Sequence, residues 1–320
     1  MQNYKKLLEL LSEYEKTKIW KIFSGDVIFS LAGFKKPVYV SILGNAGYSL
    51  GLVVYDGKKE LEKQLDVSFG CYQNFPDNFV RISCYEICIG DIKNLLTQES
   101  KEQLKKEKIS SKNAIFRLKE GYLPRLVTEK ESEFLIQVLE KIIILSHYLI
   151  EKNQSFLESP DFVYMDQFKI DNLTVVHKKI PFPTFSNKLP KVKKVNEENI
   201  NKLLLLGKTL EINVGLFYAP MYIEEKNPYY PFLFIIENTK TNFLLGIRML
   251  KPDEVSNIGN MFLEILIQHH FVPSKVHFNS EECLLLLRNV IDELNFEFDV
   301  NTNIQSLFQT WYFLKEQTCK

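Results

Sequence analysis

Apolar residues recur along this chain with two spacings. In Pro231–Ile236 and Phe243–Ile247 they run almost without interruption and are β-branched or aromatic. The polar stretch Glu237–Asn242 divides the two runs, which predicts paired strands. Phe134, Leu135, Val138, Leu139, Ile142, Ile143 and Leu145 instead return at three- and four-residue steps. They follow the capping-box pattern Thr128-Glu-Lys-Glu131, which predicts a long helix with a wide apolar face. Leu7, Leu8, Leu10 and Leu11, broken by Glu9 and Glu13, predict an amphipathic helix at the N-terminus rather than a secretory signal.

Read in order, the first half gives strands at Asp26–Leu31, Pro37–Leu43 and Tyr48–Tyr55 and a helix at Lys58–Asp66. A strand at Phe79–Ile89, a highly charged helix at Asp91–Lys108 and the long helix follow. Gly44-Asn-Ala-Gly47 leads from one strand into another, so it reads as a hairpin turn and not as a phosphate cradle, which needs a helix next. The second half gives strands at Ile212–Ile223, Pro231–Ile236 and Phe243–Met249, then a helix announced by Pro252-Asp-Glu254. Strand Ser274–Phe278, a helix from Ser280-Glu-Glu282, strand Phe296–Val300 and a terminal helix around Trp311 complete it.

This pattern predicts a mixed α/β (α+β) protein of two domains, each opening with antiparallel strands. The second has the element order βββαβαβα of a ribonuclease-H-like domain. The first half opens in the same way, so the pattern admits a duplication, with Leu50-Gly-Leu-Val-Val54 against Leu245-Gly-Ile-Arg-Met249 as its sequence echo. The boundary is set by composition. His177–Lys194 holds Lys178, Lys179, Lys188, Lys191, Lys193 and Lys194, three prolines and no acid. The expected domains are residues 1–176 and 201–320, joined by a basic, Pro-containing linker at 177–200.

A length of 320 residues suffices for two cores. Lysine plus arginine equals aspartate plus glutamate at 40 each, so no global field draws the chain to nucleic acid or membrane. Five irregularly spaced cysteines (Cys71, Cys84, Cys88, Cys283, Cys319) and the lack of a run of apolar residues long enough to span a bilayer point to the cytoplasm. Arginine, the residue suited to bidentate phosphate and base contacts, appears only five times, which counts against sequence-specific DNA reading.

Two segments of the first half, Tyr39-Val-Ser-Ile-Leu-Gly-Asn-Ala-Gly47 with Leu52–Gly57 and Phe116-Arg-Leu-Lys-Glu-Gly-Tyr-Leu-Pro124, go together with Pro273–Leu287 and Leu294–Phe298 of the second. In these the chain resembles a bacterial family of two-domain proteins of unknown function. The resemblance implies a domain layout and no chemistry.

A ribonuclease-H-like nuclease needs several carboxylates converging on divalent ions. The first strand of the second half carries no acid in its middle, and Asn279-Ser280 stands where an aspartate would close the fourth strand. The best acids are Glu237, Asp253 and Asp299. Histidines 269, 270 and 277 form the one histidine cluster, with Cys283 the nearest soft ligand, a poor zinc set. Cys84 and Cys88 flank Glu86 on one strand face and read as half-buried thiols. The leading expectation is therefore a cytoplasmic, non-catalytic binding protein without cofactor. Its partner, a protein or a nucleic-acid backbone, would meet Lys178, Lys179, Lys191, Lys193 and Lys194 together with Tyr218, Tyr222 and Tyr230. The competing expectation is a divergent nuclease holding Mg²⁺ on Glu237, Asp253 and Asp299.

Overall fold

Alternation decides which face of each strand is buried. Val38, Val40 and Ile42 turn to one side, and Tyr39 to the other. Their partners in the next strand, Leu52 and Val54 against Tyr55, follow the same rule. The computed structural model describes residues 2–47, 50–69, 78–90, 98–106, 113–158, 163–171, 173–184 and 191–318. In it the chain divides into two units. Unit 1 comprises residues 1–69, 82–119 and 124–185, and unit 2 comprises 70–81, 120–123 and 186–320.

Unit 1 contains α1 (Gln2–Thr17), β1 (Ile28–Ala32), β2 (Val38–Leu43), β3 (Leu50–Asp56), α2 (Lys58–Ser68), β4 (Cys84–Ile89) and α3 (Gln98–Lys106). It continues with β5 (Asn113–Leu118), β6 (Arg125–Leu126), α4 (Glu129–Glu151), β7 (Tyr164–Asp171) and β8 (Thr174–Pro181). The sheet order is β6-β5-β4-β3-β2-β1-β7-β8, antiparallel throughout except that β7 lies parallel to β1. Tyr4, Leu7, Leu11 and Tyr14 of α1 share one core with Leu135, Leu139, Ile142 and Leu145 of α4 and with Val40, Leu52 and Val54 of the sheet. On the other face Leu61 and Leu65 of α2 cover Tyr39 and Tyr55. The capping box forms as the sequence implies: the Thr128 side chain accepts from the Glu131 N–H while Glu131 accepts from the Thr128 N–H. Residues 44–47 form the hairpin turn between β2 and β3.

Unit 2 contains α5 (Glu197–Leu204), β9 (Lys208–Tyr218), β10 (Phe232–Asn238), β11 (Leu244–Leu250), α6 (Ile258–Gln268), β12 (Val272–Phe278), α7 (Glu281–Leu294), β13 (Glu297–Val300) and α8 (Gln305–Thr318). Its sheet runs β11-β10-β9-β12-β13, with β9, β10 and β11 antiparallel and β12 and β13 parallel to β9. This is the ribonuclease-H-like arrangement expected from the element order. Val214, Leu216, Phe234 and Phe278 pack under α6 and α7, whereas Phe217, Leu233 and Ile235 pack under Leu307 and Trp311 of α8.

Several expectations are corrected. The fourth strand of each half is placed differently: β4 pairs antiparallel with β3, the strand before it, whereas β12 pairs parallel with β9, and in unit 1 the strand parallel to the first one is β7. The two echoing glycines also differ: a Cβ on Gly51 would strike the Ile87 backbone, and one on Gly246 would strike the Ile265 side chain. Residues 79–81, expected as the start of a strand, lie instead in a turn of 3₁₀ helix, Asn78–Arg81. There the Val80 carbonyl accepts from Gly121 N–H, and both segments belong to unit 2. The basic stretch begins inside β8, and its residues 185–190, with Lys188, lie outside the described residues. So do Cys71, Cys319 and part of the charged segment expected at 91–108. Among the described residues no helix is long and apolar enough to cross a membrane.

Candidate functional site

Parallel strands β9 and β12 run side by side as far as Phe278 paired with Val214, and Asn279 follows. Asn279 is buried, and its amide is engaged by neighbouring groups, Leu216 foremost, with the Ser280 hydroxyl also donating to its Oδ1 at 3.4 Å. Its Oδ1 accepts from the Leu216 N–H at 3.1 Å, and its Nδ2 donates to the Leu216 carbonyl at 3.2 Å. The side chain takes over the role of the sheet ladder where the two strands part. It offers no oxygen to solvent.

The three acids do not converge. Glu237 sits in β10 opposite Asn213 of β9, which in turn pairs with His277 of β12, and Asp299 of β13 pairs with His277. These four side chains therefore form a row on the α8 face. Glu237, at 1% exposure, is closed off by α8, where the Thr310 hydroxyl donates to its Oε1 at 2.5 Å. Ser306 meets Asn213 at 3.2 Å. At the other end of the row Asp299 accepts from His277 Nδ1 and Lys275 Nζ, both at 2.8 Å. Burial opposes the charged form of Asp299, but these two bonds outweigh it and hold the carboxyl below its usual range. Asp253 lies exposed in the connection after β11, away from the row's strands. Among the described residues no three His, Cys, Asp or Glu side chains are grouped so as to hold a metal ion.

The histidines separate as well. His269 meets the Leu245 carbonyl at 2.7 Å, His270 takes a left-handed backbone conformation past the end of α6, and His277 is held by Asp299. Cys283 is buried in the unit 2 core, which pushes its thiol pKa up. Cys84 and Cys88 are raised by burial too, and the Cys88 thiol donates to Glu86 at 3.4 Å.

Of the lysines, Lys178 and Lys179 are exposed on β8 of unit 1, and Lys191, Lys193 and Lys194 are exposed before α5 of unit 2. Lys194 is paired with Glu197 at 2.5 Å. Tyr218 is not on the surface. Its ring stacks on Phe232 with centroids 4.1 Å apart, Arg81 lies over it, and its carbonyl accepts from Trp311 Nε1. It is a core residue because its strand position faces α6 and α7.

Tyr222 and Tyr230 do meet, edge to face at 6.1 Å, in the β9–β10 connection, where Met221 and Tyr222 are exposed at 41% and 47%. Nothing in the sequence pointed to a second ring pair, Tyr122 with Tyr229, whose centroids lie 6.3 Å apart and whose backbones form an isolated bridge. Gly121 makes this approach work: its φ is +79°, and a Cβ there would sit 2.6 Å from Pro252. Acids border this second pair. Burial first, and then the charge of Asp253, raises the Tyr122 hydroxyl pKa. Burial and then Glu225 do the same at Tyr229. Lys251 Nζ bonds Glu225 at 3.0 Å and lies over the Tyr229 ring, and its backbone N–H donates to Glu254 Oε2 at 3.1 Å.

Residues 4–165 match the family model described as "Domain of unknown function (DUF7309)", and residues 199–314 match "Domain of unknown function (DUF6930)". No curated protein matches the chain. Among solved structures there is a similarity to "Structure of the HTLV-2 integrase catalytic core domain in complex with magnesium (trimeric form)", at 11% identity and a TM-score of 0.25. It covers 33% of this chain and 66% of that one, just under two thirds of the integrase core.

Proposed function

This chain belongs to the family described as domain of unknown function DUF7309, and on that premise we propose that it is a non-catalytic binding protein whose second domain presents a tyrosine-rich, acid-bordered surface to a basic segment of another protein. The observations that carry this reading are two ring pairs of unit 2, Tyr222 with Tyr230 beside exposed Met221, and Tyr122 with Tyr229, the second bordered by Glu225, Asp253 and Glu254. Tyrosine rings give broad contact area at low entropic cost and attract Lys or Arg through their faces. The neighbouring carboxylates favour the same cations and repel phosphate. The strand end at Asn279 supports the non-catalytic part, since its amide is used on Leu216 and Glu237 is closed under α8.

The test uses the full chain with a fluorescent Lys/Arg-rich peptide, an acidic peptide of equal length, and labelled RNA and DNA with Mg²⁺ or Mn²⁺. Binding of the basic peptide, weakened by salt and by Tyr222→Ala, is expected. Cleavage of either nucleic acid that disappears in Glu237→Ala would overturn the reading in favour of the nuclease.

A further inference from the structure

Beyond the end of α4 the sheet of unit 1 continues, and its uncovered strands are polar where the covered ones are apolar. Phe168 pairs with His177 under the core, while the next pair outward is Asp166 with Lys179. The chain leaving α4 returns along this margin, tied by Phe156 N–H to the Ile22 carbonyl and by Ser24 N–H to the Phe156 carbonyl. Between them lies a cleft of about 380 Å³, within the range that small-molecule sites occupy.

The chemistry of its lining has one sign. Three carboxylates, Asp26, Glu158 and Asp166, face one lysine, Lys179. Asp166 is engaged by His177, whose Nε2 lies 2.6 Å away and whose ring stacks on Phe168 at 4.7 Å. Asp26 and Glu158 are exposed, and neither has a hydrogen-bond or ion-pair partner among the described residues. Gln154, also in the lining, keeps a side-chain carbonyl oxygen buried with no partner among the described residues. Buried acceptors left unmade are costly, and an N–H donor reaching this oxygen would relieve that cost. Phe156 and Tyr164 add ring surface.

We propose that this cleft binds a small organic ammonium compound, with its apolar body against the aromatic side chains and its N–H groups directed to Asp26, Glu158 and Gln154. Carboxylates, an unmade acceptor and aromatic faces all favour a cationic donor. An anion would have to overcome two unpaired carboxylates for the sake of one lysine.

Benzylamine, benzyl alcohol and benzoate, alike in shape and different in charge, serve as probes on the full chain labelled at its methionine methyl groups. Met165 lines the cleft and is assigned through Met165→Leu. A saturable shift of the Met165 resonance with benzylamine is expected, with benzyl alcohol weaker and benzoate silent. The double variant Asp26→Asn/Glu158→Gln should weaken benzylamine about fivefold, and Lys179→Ala should strengthen it. The proposal fails if benzylamine does not shift Met165, if benzoate binds as well, or if Lys179→Ala weakens the amine. Both variants alter exposed side chains, and an unchanged methionine spectrum without probe shows that the fold is intact.

Discussion

Arg81 Nη1 meets Glu282 Oε2 at 2.7 Å inside unit 2, although 201 residues separate them in sequence. Arg81 is 1% exposed and Glu282, in the first turn of α7, is 30% exposed. A guanidinium so deeply buried depends on its charge partners, and neutralising Glu282 removes part of that compensation. Glu282→Gln is therefore expected to destabilise unit 2 by about 2 kcal/mol, less than for a fully buried pair because Glu282 is partly hydrated. Glu281→Gln, one residue earlier and exposed, should stay within about 0.5 kcal/mol and controls for the helix dipole. Denaturant unfolding followed by Trp311 fluorescence in a Trp20→Phe background measures both.

Arg81 also marks where the sequence stopped being informative. Every strand and helix of unit 2 from β9 to α8 is written in local periodicity, so the order of its sheet was legible from the chain alone. The membership of residues 78–81 and 120–123 was not, because it rests on single contacts between distant residues: Gly121 with Val80, and Tyr230 with Gly121. β7 and β8 were missed for a related reason. β8 is an edge strand whose Lys178 and Lys179 guard it against further pairing, so its composition reads as linker. Of the candidate binding residues, Tyr222 and Tyr230 share a patch and Tyr218 is core. Alternation alone could not say which face of β9 would be covered, since helices lie on both.

The capping box gives unit 1 an acid-sensitive element. Burial opposes ionisation of Glu131, but Arg125 and Thr128 outweigh it and lower its pKa from 4.5 to about 2. A carboxylate depressed in the folded state stabilises fully above its unfolded pKa and loses that contribution as pH falls through its folded one. Unit 1 should therefore lose stability from about pH 4.5 down towards about 2. Glu131→Gln should flatten this limb and lower stability at neutral pH, and Thr128→Ala should cost about 1 kcal/mol. Thermal unfolding against pH in the three proteins checks the sign.

Gly51 and Gly47 both take positive φ, at +152° and +80°, yet their substitutions should diverge. An alanine Cβ at position 51 would lie 1.8 Å from the Ile87 carbonyl oxygen, a backbone atom of the paired strand β4. At position 47 nothing lies within 4 Å. Gly47→Ala then costs only the left-handed penalty, about 1 kcal/mol. Gly51→Ala forces β3 and β4 apart and should cost about 4 kcal/mol or more. Unfolding followed by Trp20 separates them; equal losses would mean that the approach of β3 to β4 is not needed for stability.

Burial of Glu237 under α8 carries a cost that its variants can measure. Its Oε1 accepts from Thr310, while its Oε2 is buried without a partner among the described residues. Burying a carboxylate with one hydroxyl for company is costly. The isosteric amide of Glu237→Gln keeps an acceptor for Thr310 and removes the charge. The variant should therefore raise the unfolding temperature of unit 2 and, under the binding reading, leave binding of the basic peptide unchanged. Glu237→Ala loses the Thr310 bond and opens a void, and should destabilise by about 1–3 kcal/mol. A Glu237→Gln protein that is less stable than the parent would show instead that the carboxylate is compensated in the fold, and the charge-burial account would fall.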